Sequence, residues 1–183
     1  MINAQTEKEV DIPSIVATAL EQPEVKLVKV RRRDFLEYGF PDRHIRKVNE
    51  LLTGTGTWFE RYGELKDKLI QGFLVGLIGK RGTGKTQLAT MLAYEVLHTG
   101  RTAHYSLLSE FFMMLKNCYK EGYEGDTDAM ILRRYAKYDL LVFDEVHEIQ
   151  RTPFETEMFT MLIDKRYCQP HTCTILILSL IHI

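Results

Sequence analysis

The sequence predicts an α/β fold: a parallel sheet covered by helices on both faces, in three layers. Three features predict it. A short apolar run, Phe73 to Ile78, passes through a glycine-rich turn into the helical pattern Gln87 to Leu97. A second apolar run, Leu140 to Phe143, ends in the acidic pair Asp144 and Glu145. Strand-like and helix-like segments alternate around these two. Parallel strands joined through helices need crossover connections, which place helices on both faces. Strands are expected near 73–79, 102–107, 140–145 and 172–180.

Residues 1–29 mix charge with Pro13 and Pro23 and carry one brief helical pattern, so a flexible tail is expected there. Residues 30–57 read as a helical, basic element. Arg31, Arg32 and Arg33 are followed by Arg43, His44, Arg46 and Lys47, a cluster suited to phosphates or an acidic partner. Asp34, Glu37, Asp42 and Glu50 dilute it toward an ordinary solvated face. Phe35, Leu36, Tyr38 and Phe40 are apolar enough to dock this element on a core. Pro41 and Asp42 mark a helix start, with Ile45, Val48, Leu51 and Leu52 at helical spacing. Thr53 to Thr57 is a flexible joint.

Residues 58–183 are expected to form the core domain. Trp58 to Gln71 has helical periodicity, with Phe59, Tyr62, Leu65, Leu69 and Ile70 on one side. Trp58 and Tyr62 are of a kind to stack on an adenine ring, although aromatic residues at this spacing are more often core. The segment then enters the apolar run at Phe73, expected as a buried strand.

The turn after that run carries the first chemistry. Gly79, Lys80, Arg81, Gly82, Thr83, Gly84, Lys85 and Thr86 match G-x-x-x-x-G-K-[ST], followed by Gln87 at the start of a helix. The glycines permit backbone angles that turn successive N–H groups inward, a nest for a β-phosphate. The helix starting near Lys85 aims free N–H groups and partial positive charge at the same point. Lys85 is placed to bridge the β- and γ-phosphates of a bound nucleotide, and the Thr86 hydroxyl to ligate Mg²⁺.

His98, Thr99 and Gly100 end that helix, and Thr102 to Leu108 begins as an alternating strand. Ser109 to Tyr119 is expected as a helix capped by Ser109, and Ala129 to Tyr138 as another. Leu140 to Glu145 then reads as a buried strand that delivers carboxylates at its C-terminal end, where open α/β sheets bind ligands. Asp144 is expected to hold Mg²⁺ through its water shell, and Glu145 to act as general base toward the attacking water. The acidic pair is expected on the strand adjacent to the glycine turn. His147 and Glu148 receive no catalytic role. Thr152 to Tyr167 is a helix with Phe159, Leu162 and Ile163 inward, and Lys165 and Arg166 suit its C-terminal dipole.

The totals bound the answer. The chain has 183 residues, 45% hydrophobic, with a net charge of -1 and a pI near 6.6, so one domain plus a tail is expected, without a global pull toward nucleic acid. Cys118, Cys168 and Cys173 lack the spacing of a zinc site or disulfide framework and are expected to be reduced and mostly buried. The polar, acidic start excludes a secretory signal, and no apolar run reaches membrane-spanning length. The expectation is a cytoplasmic protein without membrane contact.

The stretches GKRGTGKTQLA, DLLVFDEVHEIQ and LIDKRY together resemble the helicase-loader and transposition-helper branch of the AAA+ ATPases, the DnaC/IstB-like family. The resemblance covers roughly Tyr38 to Leu178, and the segment GFPDRHI is similar to the short element preceding the ATPase core in phage-type loaders. It implies a P-loop fold of the AAA+ (ASCE) type and an ATP–Mg²⁺ switch with Lys85, Thr86, Asp144 and Glu145 in the roles above. It also implies homo-oligomers when full length, contact with single-stranded DNA, and delivery of a replicative helicase, or alternatively a transposase, to DNA. A polar residue at the end of the last strand is part of the family pattern, and neither Ser179 nor His182 matches it cleanly. The closing LSLIHI is expected to mark a truncated reading frame, with the C-terminal strand and lid elements missing. Two other readings are a nucleotide-gated adaptor without useful hydrolysis and a small-molecule P-loop kinase. The kinase is disfavoured by the Asp144–Glu145 pair and by the lack of an arginine-rich lid.

Overall fold

A computed structural model of the chain describes residues 27–48, 55–146 and 152–180. The expected tail, apart from its last residues, therefore lies outside the described residues, as do Leu51, Leu52, His147, Glu148 and His182. Two short helices, α1 (Arg32–Glu37) and α2 (Asp42–Ile45), precede α3 (Thr57–Asp67). The core follows as β1 (Phe73–Lys80), α4 (Lys85–His98), β2 (Ala103–Leu107), α5 (Leu108–Asn117), α6 (Asp128–Lys137), β3 (Leu140–Asp144), α7 (Pro153–Tyr167) and β4 (Cys173–Leu180).

The four strands form one parallel sheet in the order β1-β4-β3-β2. This corrects one expectation: β3, which carries Asp144, does not neighbour β1, because β4 lies between them. Strand β3 alternates toward the two helical layers. Leu140 and Val142 join Leu88, Leu92 and Val96 of α4 together with Phe35, Phe40 and Ile45, so the N-terminal element shares this core. Leu141 and Phe143 face Phe111, Leu115, Ile131, Tyr135 and Leu162 of α5, α6 and α7. The four apolar residues of β3, Leu140 to Phe143, are fully buried, as its unbroken apolar run predicts.

Several local expectations change. Strand β1 is not buried throughout: Phe73, Val75 and Leu77 pack inward, whereas Leu74 and Ile78 on the other face are 52% and 64% exposed. Edge position leaves that face without a helical neighbour of its own. Ile70 follows the end of α3 and is exposed. Helix α5 is not capped by Ser109; it starts one residue earlier, and the Glu110 carboxylate accepts the Leu107 N–H at 3.2 Å. Ile163 is half-buried, while Met158 and Leu162 form the inward stripe of α7. The three cysteines are free, and Cys168 is exposed rather than buried.

Arg166 departs most from its expected part. It is buried at 2% exposure and donates to the carbonyls of Tyr135, Ala136 and Tyr138 at the end of α6 and to Cys173 O and Thr174 Oγ1 at the start of β4. Burial lowers its pKa to about 10, which still leaves it charged at neutral pH. One guanidinium thus ties α7 to α6 and β4, using a fork of donors that a lysine lacks.

Candidate nucleotide site

At the C-terminal edge of the sheet lies a cleft of about 630 Å³, lined among others by Arg81, Gly82, Gly84, Lys85, Thr86, Gln87, Asp144 and Glu145. Residues from two separate strand ends thus meet there. Gly84 holds the turn open to α4 with a φ of +85°, and a Cβ at this position would stand 2.9 Å from the Trp58 indole nitrogen. That close approach, together with the left-handed angle, explains the glycine. Thr83 Oγ1 donates to Lys80 O at 2.9 Å and closes the turn on itself. The Lys85 ammonium donates to Gly79 O and Lys80 O at 2.9 and 2.8 Å, so its charge lies within the turn.

Thr86 Oγ1 donates to Asp144 Oδ2 at 2.8 Å across the width of β4, joining the turn to the acidic strand end. Asp144 is 5% exposed, and its other oxygen accepts the Glu145 N–H at 2.8 Å. Glu145 has a φ of +57°, uncommon for a residue with a Cβ, so the chain turns sharply as it leaves β3 and brings Glu145 to the cleft wall. A hydroxyl beside a buried carboxylate is an all-oxygen donor pair. Such a pair suits a hard cation such as Mg²⁺ that keeps several waters and takes further ligands from phosphates. Among the described residues there is no group of three or more His, Cys, Asp or Glu that would make an all-protein cage.

The residues Arg43, His44 and Lys47 also line this cleft. Sequence reasoning saw them only as part of a basic cluster; the structure separates them from Arg31 and Arg33, which lie with Leu97, Gly100 and Arg101 on a different surface. His44 is fixed by two bonds to Gln87: its Nδ1 lies 3.2 Å from Oε1, and its carbonyl accepts Gln87 Nε2 at 3.1 Å. Arg43 Nε donates to His44 Nε2 at 3.0 Å, which assigns the ring proton to Nδ1. Burial lowers the His44 pKa, with the Gln87 bond acting against it, so the ring is neutral at pH 7. The Gln87 side chain is thus committed to His44, and Gln87 stands in the first turn of α4, where backbone N–H groups lack intrahelical acceptors.

In the sequence Tyr105 stands only within an alternating strand pattern. Its hydroxyl donates to Asp144 Oδ2 at 2.9 Å, and burial, then the neighbouring carboxylate, raise its pKa. Ser179 lines the cleft as well, paired in register with Gly79. Of the expected base-stacking pair, Tyr62 is buried and donates to Glu95, while Trp58 stands behind the turn with Nε1 3.4 Å from Gly84 O.

The family model described as "IstB-like ATP binding protein" matches residues 70–181, from the approach to β1 to one residue past the end of β4. The chain belongs to this family. Among its relatives, the replicative helicase loader DnaC of Escherichia coli K12 is 26% identical over 106 residues, 58% of this chain and 42% of that protein. An insertion-sequence ATP-binding protein of Bacillus thuringiensis subsp. berliner is 32% identical over 90 residues, 49% of this chain and 34% of that protein. The chain spans less than half the length of these curated relatives. A crystal structure of the DnaC helicase loader superposes with a TM-score of 0.61 at 17% identity, covering 78% of this chain and 82% of that one, which shows a shared fold. The IstB-like match contains the glycine turn, β3 with Asp144, and Tyr105, whereas Arg43, His44 and Lys47 precede it.

Proposed function

We propose that the chain binds ATP with Mg²⁺ in this cleft and hydrolyses it, as the ATPase core of a helicase loader acting in DNA replication. One observation carries the reading: the Thr86–Asp144 hydrogen bond, which brings the end of the glycine turn to the buried carboxylate of β3. In this reading the N–H groups of the turn and of the first turn of α4 hold the phosphates, from Gly79 through Gln87. Lys85 exchanges its bonds to Gly79 O and Lys80 O for phosphate oxygens. Thr86 and Asp144 hold Mg²⁺, which supplies charge neutralisation at the phosphates. Glu145, at the cleft wall, takes a proton from the attacking water. The 30–57 element acts as one wall of the cleft, since Arg43, His44 and Lys47 line it.

Helicase loading is supported by the similarity to DnaC over more than half of this chain. In that role the protein forms homo-oligomers, contacts single-stranded DNA and delivers a replicative helicase to it in the cytoplasm. A transposition-helper role, with a transposase as partner, is favoured instead by the IstB-like family model and the insertion-sequence relative.

Calorimetry tests the core of the reading. ATP binding is expected to depend on Mg²⁺, to be lost in Lys85→Ala, and to persist in Glu145→Gln while phosphate release disappears. Magnesium-independent binding, or equal turnover in Glu145→Gln, would overturn the corresponding assignment. Stable, ATP-dependent association with a replicative helicase supports loading, and association with a transposase supports the second role.

A further inference from the structure

We propose that Tyr105 is a positioning residue for the metal site: its hydroxyl holds the Asp144 carboxylate in the orientation that receives Mg²⁺. The inference rests on the nucleotide-binding reading above and adds to it a residue outside the glycine turn and the acidic pair.

Three hydrogen bonds reach the Asp144 carboxylate among the described residues. Thr86 Oγ1 and Tyr105 Oη share Oδ2 at 2.8 and 2.9 Å, and the Glu145 N–H takes Oδ1 at 2.8 Å. Thr86 is itself a prospective ligand, and Glu145 is the next residue in the chain. Among the described residues, Tyr105 restrains the carboxylate from a neighbouring strand, outside the prospective ligands and the next residue in the chain. An ionised carboxylate accepts about four hydrogen bonds or metal contacts in total, so Tyr105 leaves room for the ion.

Tyr105 is itself fixed from the N-terminal side. Leu107 pairs with Asp144 in the parallel register, which places Tyr105 two residues back on the neighbouring strand, its ring on the α4 side of the sheet. Its N–H donates to Tyr38 O at 2.9 Å, and its ring lies tilted against Phe40 with centroids 5.7 Å apart. Gly39 makes this approach possible: at φ +82° it carries no side chain, and a Cβ there would stand 2.4 Å from Tyr105 O. The segment Tyr38–Phe40 therefore grips the residue whose hydroxyl holds Asp144 from the neighbouring strand. Groups that hold a metal ligand from behind typically contribute roughly 10–100-fold in metal affinity.

The test uses the full chain and Tyr105→Phe, which keeps the ring against Phe40 and removes only the hydroxyl. ATP binding is followed by calorimetry across a Mg²⁺ titration and again in EDTA. The Mg²⁺ concentration for half-maximal binding is expected to rise about tenfold, with the weak binding in EDTA unchanged. Gly39→Ala keeps the Tyr105 side chain but presses on its carbonyl and displaces the hydroxyl from Asp144, and is expected to raise the same midpoint by a smaller factor; it serves as a second, independent test. An unchanged or lower midpoint overturns the proposal, as does a parallel loss of binding in EDTA, which would mark a general disturbance of the cleft. A parent chain whose ATP binding ignores Mg²⁺ overturns the functional reading first, and the proposal with it.

Discussion

His104 shows how a single side chain ties stability to pH. Its ring stacks on Tyr138 with centroids 4.6 Å apart and meets the edge of Tyr135 at 5.0 Å. Burial lowers its pKa from 6.5 to about 4. Between these values the unfolded chain takes up a proton that the folded chain refuses, so this contribution to stability is intact above pH 7 and is lost as pH falls from 6.5 toward 4. The full effect is on the order of 3 kcal/mol. His44, also lowered by burial, acts in the same direction. Replacing His104 by Phe is expected to flatten the fall in melting temperature between pH 7 and 5, measured by thermal denaturation. At this scale the sequence was readable where a residue's chemistry is tied to local spacing: Gly82, Gly84, Lys85 and Thr86 stand together because the motif is contiguous. Tyr105 and His44 were not readable as site residues. Their positions depend on strand register and on how the N-terminal segment docks, and neither leaves a mark in local periodicity.

Among the elements, α6, α7 and β4 are held together by Arg166. Its replacement by Leu would keep much of the volume and leave five acceptors without their donor, those of Tyr135, Ala136, Tyr138, Cys173 and Thr174. Each buried acceptor left unpaired costs about 1–3 kcal/mol, partly relieved by water, so a loss of at least about 3 kcal/mol is expected in urea unfolding. Arg166→Lys should recover only part of it, because one ammonium cannot span the same fork. The helices and strands themselves were largely evident from apolar periodicity, and the expected parallel α/β architecture is the one found. Strand order was not. Alternation and run length say that a strand exists and which faces are buried, but the placement of β4 between β1 and β3 comes from crossover geometry. The start of α5 escaped for a smaller reason: the Glu110 side chain reaches back to the Leu107 N–H and fixes the helix entry from within its first turn, with no capping hydroxyl before it.

For the molecule as a whole, the two sides of the sheet differ. One side is filled by α4 and the N-terminal element, and the other is covered by α5, α6 and α7 only as far as Leu176, leaving Leu74, Ile78 and Leu180 at 52%, 64% and 57% exposure. Exposed apolar residues on a strand at the sheet margin favour pairing with other chains. This chain is therefore expected to associate as its concentration rises, and Ile78→Lys to reduce that association, as sedimentation velocity would show. Membrane insertion is not the outlet for this surface by way of a helix, since none among the described residues is long and apolar enough to cross a bilayer.

The inserted strand β4 has a further consequence. Neighbouring strands run about 4.8 Å apart, so with one strand between them the ends of β1 and β3 are separated by roughly 10 Å. Mg²⁺ keeps its oxygens at about 2.1 Å. A phosphate oxygen, the ion and one bridging water need more than a single interstrand step and fit within two. Under the proposed function, direct neighbours would leave the carboxylate against the bound phosphates, where like charges repel. Strand β4 thus works as a spacer, and its thickness suits the hydrated cation of the proposed function.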